Sequence, residues 1–494
     1  MAAAQGCRLD GDQIASCASK SGVMSNPDDT GPSVWEELLR KDNLWVGHGS
    51  ETAFADAILA QRRRQGLPQL GAQPLPHPYE ILHTSRQLSR TRWAENQSPK
   101  HVSVPAHGRS VVTCLLISQG RVITASDDST INIYSLPTGG LERSLKGHGG
   151  GVWSLVINRT TLASGSTDRS IRVWDIESGR CTHTFGGHTS TVRALAIVRP
   201  EPTDTEQDGG TTVSEKWPKH PLVVSGSRDH TLRVWALPNP GDPEFHSPMD
   251  EHGGVNDDPE QNPYHKLLLD GHEHAVRALA ARGRTAVSGS FDCTVRVWDI
   301  ATGTCKWVLV GHTEKVYCVA LDTRRQRTYS GSLDGTVRIW DLQTGQCLHV
   351  LTGHESLVSL VALSPSYLVS GCADGMLRVW DPDAGAHLHT LSGSPSRGAI
   401  TCFAHDEFKV LAGSDSTLRM WDVRSGAEVR DLLTGAVGVW QVACEGRWCV
   451  AASSRNDRTF LDTWDFATGE GDADWVGEPS DGVYDEYSDE DDGS

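Results

Sequence analysis

His148, Ser164, Asp168 and Trp174 include a base, a hydroxyl nucleophile and an orienting carboxylate, the side chains a serine hydrolase needs. The same four types return as His188, Ser225, Asp229 and Trp235, and again as His312, Ser330, Asp334 and Trp340. Active sites are not normally copied once per repeat, whereas hydrogen-bonded sets that satisfy buried polar groups are. These residues are therefore expected to lock turns, and the chain is not expected to be an enzyme. No nucleophile elbow, Walker loop or HExxH helix is present. The 12 cysteines lie singly, with no CxxC pair and no zinc spacing, so neither a metal nor a cofactor is expected. Cys181, Cys305 and Cys347 share one repeat position, which marks a packing slot.

The elements that carry these residues follow a period near 41, whose fullest version runs GHTSTVRALAI and then VVSGSRDHTLRVW. Its closing aromatic falls at Tyr134, Trp174, Trp235, Trp298, Trp340, Trp380, Trp421 and Trp464, in steps of 40, 61, 63, 42, 40, 41 and 43. Two steps are long because polar, Pro-rich insertions at 200–218 and 238–264 interrupt them, and both insertions read as surface loops. Runs such as LVVSGS and TLRVW alternate with the period of half-buried strands. The pattern resembles the WD-repeat family, over about 365 residues from His101 to Phe466. That resemblance implies an all-β fold, an eight-bladed WD-repeat β-propeller of four-stranded blades around a central channel. Blades 7 and 8 depart from the pattern: Ser394 stands at the GH histidine, and AGSDST is one residue short. The last unit ends without a further apolar strand, while HVSVPAHG precedes the first. Residues 101–105 are thus expected to form the outer strand of the last blade and close the ring.

An internal repeat allows blades to be compared with one another. The fifth residue after the GH histidine reads Val112, Trp153, Arg193, Arg277, Tyr317 and Ser359 for blades 1 to 6. The residue before the GSxD aspartate reads Asp127, Thr167, Arg228, Phe291, Leu333 and Ala373. Arg169 follows that aspartate in blade 2, where the other blades carry Ser129, His230, Cys293, Gly335 and Gly375. Arginine is confined to blades 2, 3 and 4 and is flanked by Trp153, Phe291 and Tyr317. By contrast Arg172, Arg233, Arg296, Arg338, Arg378 and Arg419 recur two residues before the closing aromatic, so they are structural or solvated and carry no site information. A one-sided guanidinium cluster repels itself unless it has a ligand. It suits a phosphate, which accepts charge-assisted and often bidentate hydrogen bonds from Arg. The alternative is that these side chains splay into solvent or pair with nearby acids.

GHGGGVWSL, SGSTDRSIRVWD, THTFGGHTSTVRAL, VSGSRDHTLRVW, QNPYHKLLLDGH and VWQVACEGRWCVAASS are also similar to F-box/WD-repeat receptors of the cell-division-control protein 4 type. This narrower resemblance implies a substrate receptor of an SCF ubiquitin ligase that reads phosphorylated Thr-Pro or Ser-Pro segments. Its partners would be phosphorylated proteins and, where an F-box is present, the SCF adaptor and cullin subunits. The family's phosphate-binding arginines fall on Arg193, Arg228 and Arg277, with Arg169 assisting. Its pocket aromatics fall on Trp153 and Tyr317, and Phe291 replaces a tyrosine. Thr167 completes the expected phosphopeptide site. A WD-repeat scaffold with no ubiquitin role is the alternative reading.

Outside the propeller, assigned to 99–468, three stretches have helical spacing: 33–45, 51–64 and 79–93. They make 33–98 a small α-helical linker region. Residues 1–32 are short, polar and rich in Gly, Asp and Ser, and are expected to be disordered or a truncated F-box remnant. Residues 469–494 form an acidic tail expected to be disordered, with Ser488 before three acids. The net charge of −18 argues against nucleic acid as a partner. The N-terminus has no apolar core of signal-peptide length, and nowhere do 18 apolar residues run together to span a membrane. Nucleus or cytosol, both reducing, is the expected location.

Overall fold

A computed structural model describes residues 99–207, 211–247, 262–392 and 398–466, with His83, Thr91, Trp93 and Ala94. The expectations for 1–32, for the helices 33–45 and 51–64, for most of 79–93, for Ser394 and for the acidic tail fall outside these residues. Among the described residues no helix is long and apolar enough to cross a membrane.

The described strands form eight blades, each built on an antiparallel sheet, and in blades 1 to 7 the four strands follow sequence order from first to fourth. Blade 3, for example, is built from Val192–Val198, Leu222–Ser227, Leu232–Ala236 and His265–Leu269. The first strands of successive blades lie against one another, and that of blade 8, Gly438–Glu445, lies against that of blade 1, Val112–Ser118, so the ring is closed. The outer strand of blade 8 is Lys100–Pro105, paired antiparallel with Arg458–Asp465, in the place the repeat count requires. The seam is anchored by side chains as well. His101 Nε2 meets Asp462 Oδ1 at 2.9 Å, its ring stacks on Trp464, and Arg455 and Ser453 both donate to the buried Asp462.

The core is distributed between the blades. Ile123, Ile131 and Leu145 of blade 1 pack with Leu162 and the buried Trp174 of blade 2. The seam is packed like the other joints, with Val112 and Tyr134 against Val450 and Leu461. Burying such side chains contributes about 2 kcal/mol each. The glycine of the SGS motif has a specific cause. A Cβ on Gly165 would lie 2.7 Å from Val192 of the next first strand, and one on Gly226 would lie 2.8 Å from Val276. Adjacent blades meet at these points too closely for any side chain.

Two expectations need correction. The insertion at 200–218 is a β-hairpin, Glu201–Gln207 paired with Thr211–Trp217. Part of 238–264 also has regular structure: Phe245–His246 adds a short parallel strand to the outer edge of blade 2. Polar composition marked both as surface segments, but backbone pairing, which needs no apolar side chain, was invisible in it. Of the linker region, His83, Thr91, Trp93 and Ala94 are helical. Trp93 stacks on Phe466 with centroids 3.9 Å apart and donates its indole N–H to Gly446 O at 3.1 Å.

Candidate functional site

The apparent hydrolase residues have structural geometry. In blade 2, His148 Nδ1 lies 2.7 Å from Asp168 Oδ2 and Nε2 lies 2.7 Å from Ser164 Oγ. Trp174 Nε1 donates to the same Oγ at 2.8 Å, and the hydroxyl also reaches Arg172 O. The nucleophile is therefore 0% exposed and its hydrogen-bonding capacity is spent on the fold. Blades 3, 4, 5 and 6 repeat the arrangement through His188, His272, His312 and His354. Burial pushes the pKa of His148 down against the upward pull of Asp168. Burial alone would raise Asp168, but hydrogen bonds from His148 and Ser170 outweigh it and hold the carboxyl well below its usual range. Each tetrad ties the loop before a first strand to the turn between the second and third strands, so it fixes the rim on which the arginines stand. The repeated arginines are structural too: Arg233 Nη2 donates to Gly187 O, and Arg378 Nη2 donates to Gly353 O.

The site side chains are presented by two devices. The first is a β-bulge at the start of the first strand, present in every blade but the seventh. Pairing slips between Val152 and Ser154, Val192 and Ala194, Val276 and Ala278, and Val316 and Cys318. The skipped residues are Trp153, Arg193, Arg277 and Tyr317. A bulge residue is left out of the ladder, and its side chain is re-aimed. In blade 1 the skipped residue is Thr113, which corrects the assignment of Val112. The loop after His107 is one residue longer there, so counting from the histidine lands on the buried Val112 instead. The second device is the turn before the aspartate. Its N–H donates to the loop entering the first strand: Thr167 to Gly151 O, Arg228 to Thr191 O, and Phe291 to Ala275 O. This bond holds the turn residue beside the bulge residue of its own blade.

Arg193, Arg228 and Arg277 stand near enough for the charges of the last two to act on the first. The Arg193 guanidinium lies over the Trp153 ring, 3.8 Å from its centroid. Burial pushes Arg193 down to about 10, and the charges of Arg277 and Arg228 add to the fall. Burial likewise lowers Arg277, whose guanidinium is 5.9 Å from the Tyr317 ring. Tyr317 in turn packs on Phe291 at 5.2 Å. Among the described residues no carboxylate pairs with any of the three arginines. Asp229, next to Arg228, and Asp292, next to Phe291, are bound to His188 and His272 at 2.8 and 2.7 Å. Thr167 is exposed in the blade 2 turn, and its hydroxyl donates to Gly151 O at 3.4 Å. Arg169 occupies the left-handed position of that turn, with φ of 73°.

Counting missed Lys315 and His274, which occupy no compared position, and read His230 only as the counterpart of Arg169. Lys315 lies 5.2 Å from the Phe291 ring, His274 lies 6.1 Å from it, and His230 lies 5.7 Å from His274. Their signal in the sequence is only that they flank series positions. The assembled surface has three guanidiniums that no carboxylate among the described residues compensates, and an aromatic shelf on each side. Such a surface can take an anion together with an adjoining apolar segment.

Known proteins agree with this architecture. The family pattern for WD domain, G-beta repeat matches residues 139–175, 179–236, 262–299, 303–341, 345–381 and 385–422. Cell division control protein 4 of Candida albicans is 39% identical over 91% of this chain and 64% of its own length. WD repeat-containing protein pop1 of Schizosaccharomyces pombe is 39% identical over 88% of this chain and 56% of its own. Cell division control protein 4 of Saccharomyces cerevisiae is 36% identical, with coverages of 88% and 55%. The chain thus spans between half and two thirds of the length of these curated relatives. Among solved structures, it is similar to the computationally designed Ika8 protein at 28% identity and a TM-score of 0.58, covering 73% of this chain and 98% of that one. With its repeats in register around a closed ring, and with its similarity to cell division control protein 4, the chain belongs to the WD domain, G-beta repeat family.

Proposed function

We propose that the chain is a substrate-recognition subunit. It binds phosphorylated Ser-Pro or Thr-Pro segments on the propeller face carrying Arg193, Arg228 and Arg277, and presents the substrate to an SCF ubiquitin ligase. The observation that carries the reading is the grouping of Arg193 with Arg228 and Arg277, none of which pairs with a carboxylate among the described residues. Desolvated like charges are unfavourable in the free protein, and a phosphate dianion removes both penalties at once. The shelf of Trp153, Phe291 and Tyr317 suits the proline ring that follows the phosphorylated residue. Its contribution is placement, with catalysis supplied by partner enzymes. The similarity to cell division control protein 4 supports the ligase role. The nucleus or cytosol is the proposed location.

The direct test is fluorescence polarisation with a labelled phosphothreonine-proline peptide and its unphosphorylated twin. The phosphorylated peptide should bind, and Arg228→Glu should weaken it by at least about 30-fold, since losing one member of a charge pair costs about 2–5 kcal/mol. Circular dichroism of the variant should be unchanged. Equal binding of the two peptides would reject phosphate recognition. Failure of the chain to co-purify with an SCF adaptor when expressed with its native upstream sequence would leave only a WD-repeat scaffold.

A further inference from the structure

Blade 6 carries the hydrogen-bonded tetrad of the other blades with two neighbouring side chains exchanged, and both exchanges fall at the same point. The second serine of the SGS motif, Ser126, Ser166, Ser227, Ser290 or Ser332 in blades 1 to 5, is Cys372 in blade 6. The hydroxyl two residues after the aspartate, from Ser170, Thr231, Thr294 or Thr336 in blades 2 to 5, is replaced by Met376. In those four blades the hydroxyl donates to the aspartate at 2.7 Å and stands 3.4 or 3.5 Å from the histidine Nδ1. In blade 6, which lacks it, the histidine and the carboxylate lie further apart. His354 Nδ1 is 3.3 Å from Asp374 Oδ2, against 2.7 or 2.8 Å in blades 2 to 5. The Cys372 sulfur takes the place of the serine oxygen and accepts the Asp374 N–H at 3.3 Å. His354 and Cys372 are buried, and Asp374 is partly exposed at the rim.

We infer that His354, Cys372 and Asp374 form a zinc site that ties the loop entering blade 6 to the turn between its second and third strands. Imidazole nitrogen, thiolate sulfur and carboxylate oxygen are the donor types zinc takes, and a site of three residues leaves the fourth position to water. One ligand atom from each residue lies within 4.8 Å of the other two. Blades 2 to 5 offer a serine hydroxyl in place of the sulfur, so among the described residues this donor set is complete in blade 6 alone. Nitrogen and oxygen bound to a tetrahedral zinc stand about 3.3–3.4 Å apart. His354 Nδ1 and Asp374 Oδ2, at 3.3 Å, already have that spacing. The thiolate needs to close no more than about 1.3 Å. The outer partners suit the site as well. His354 Nε2 lies 2.8 Å from Ser370 Oγ, which holds the ring in place when Nδ1 turns to the metal. Asp374 keeps the Glu355 N–H on Oδ2 and the Met376 N–H on Oδ1. Binding releases one proton. The thiol, pushed up to about 11 by burial, gives its hydrogen to solvent, while the imidazole stays neutral and carries its proton on Nε2 instead of Nδ1. Cysteine spacing predicts no metal here, since the loop and the turn that supply the ligands are 20 positions apart and meet only in the folded blade.

The experiment takes the full chain, strips it with EDTA, and titrates it with zinc and with cobalt(II) as a spectroscopic probe. One tightly held equivalent of zinc should bind and raise the thermal melting temperature. Magnesium and calcium, which take oxygen donors, should leave it unchanged. Cobalt should give a sulfur-to-metal charge-transfer band in the near ultraviolet with the visible bands of tetrahedral coordination, and added zinc should abolish both. Cys372→Ser restores the residue of blades 1 to 5, so its circular dichroism should match that of the unaltered chain. It should lose the charge-transfer band and weaken zinc binding by more than the roughly 10- to 100-fold that loss of an outer partner costs. Met376→Thr is a second check that keeps all three ligands. By returning a hydroxyl to the His354–Asp374 pair it should weaken zinc binding, with the charge-transfer band still present at saturation. Cobalt bound without a sulfur band, or a band and a zinc affinity untouched by Cys372→Ser, would put the metal elsewhere on the chain and overturn the site. A melting temperature indifferent to zinc, or raised equally by magnesium or calcium, would overturn it too.

Discussion

Replacing Arg193 with glutamine gives opposite results for binding and for stability, and the size of both can be worked from the structure. In the free protein the guanidinium is pushed down to about 10 by burial and by Arg277 and Arg228, from a usual value above 12. At 1.36 kcal/mol per pH unit, this is about 3 kcal/mol against holding the charge there. The side chain is partly exposed, so screening by solvent reduces the figure, and glutamine also forfeits about 1 kcal/mol of cation–π contact with Trp153 at 3.8 Å. Arg193→Gln should therefore stabilise the ligand-free propeller by about 1 kcal/mol. It should also remove phosphopeptide binding. Urea denaturation reads the first quantity. Repeating it with peptide at 100 times its Kd should add about 2.7 kcal/mol to the unaltered chain and nothing to the variant. Destabilisation of the ligand-free variant by more than about 1 kcal/mol would refute the idea that this charge is held at a cost. Undiminished peptide binding would refute its use.

Three further outcomes follow from the same geometry. Ser225→Ala strands the His188 and Trp235 nitrogens that share its hydroxyl, and should cost about 2–3 kcal/mol in urea denaturation, with peptide affinity nearly unchanged in the fraction that remains folded. His148, His188 and His354 are all lowered by burial, so their contribution is complete above the unfolded value near 6.5 and is lost as pH falls towards the folded one. Thermal melting should therefore be level from pH 8 to about 7 and decline below about 6.5. It should decline more steeply at strongly acid pH as Asp168, Asp229 and Asp334, which are also lowered, take up protons. Gly226→Ala brings a Cβ to 2.8 Å from Val276 and must displace the strand that carries Arg277. It should cost about 1–3 kcal/mol of stability and also weaken peptide binding, read by denaturation and by fluorescence polarisation.

The blade count, the structural character of the tetrads and the closing strand could all be read from the chain. They are periodic, and period is the one long-range property a single sequence displays directly. The bulge that aims Trp153, Arg193, Arg277 and Tyr317 has no residue signature of its own. It emerges from pairing, and so blade 1 was read one position early, at Val112 in place of Thr113. The hairpin at 201–217 escaped for a related reason, since its strands lack the apolar alternation that burial imposes on the blades. Lys315 and His274 were legible only as residues near the series, and His230 only as the counterpart of Arg169, because their contacts cross blade boundaries. Comparison among repeats finds where a sequence differs; it does not find which of those differences touch.

The strand that closes the ring also dictates the order of assembly during synthesis. His101 leaves the ribosome 361 positions ahead of Asp462, the carboxylate it grips. Seven sheets can pair internally as they emerge, but the eighth must wait for its earliest-made member to return, and the entropy of bridging that gap grows only logarithmically with its length. Translation therefore passes through a long interval in which an open arc of blades has two unsatisfied ends. A circular permutant beginning after Pro105, with Lys100–Pro105 joined behind Asp465 through a short turn, would make the last sheet contiguous. It should shorten that interval without altering the finished surface.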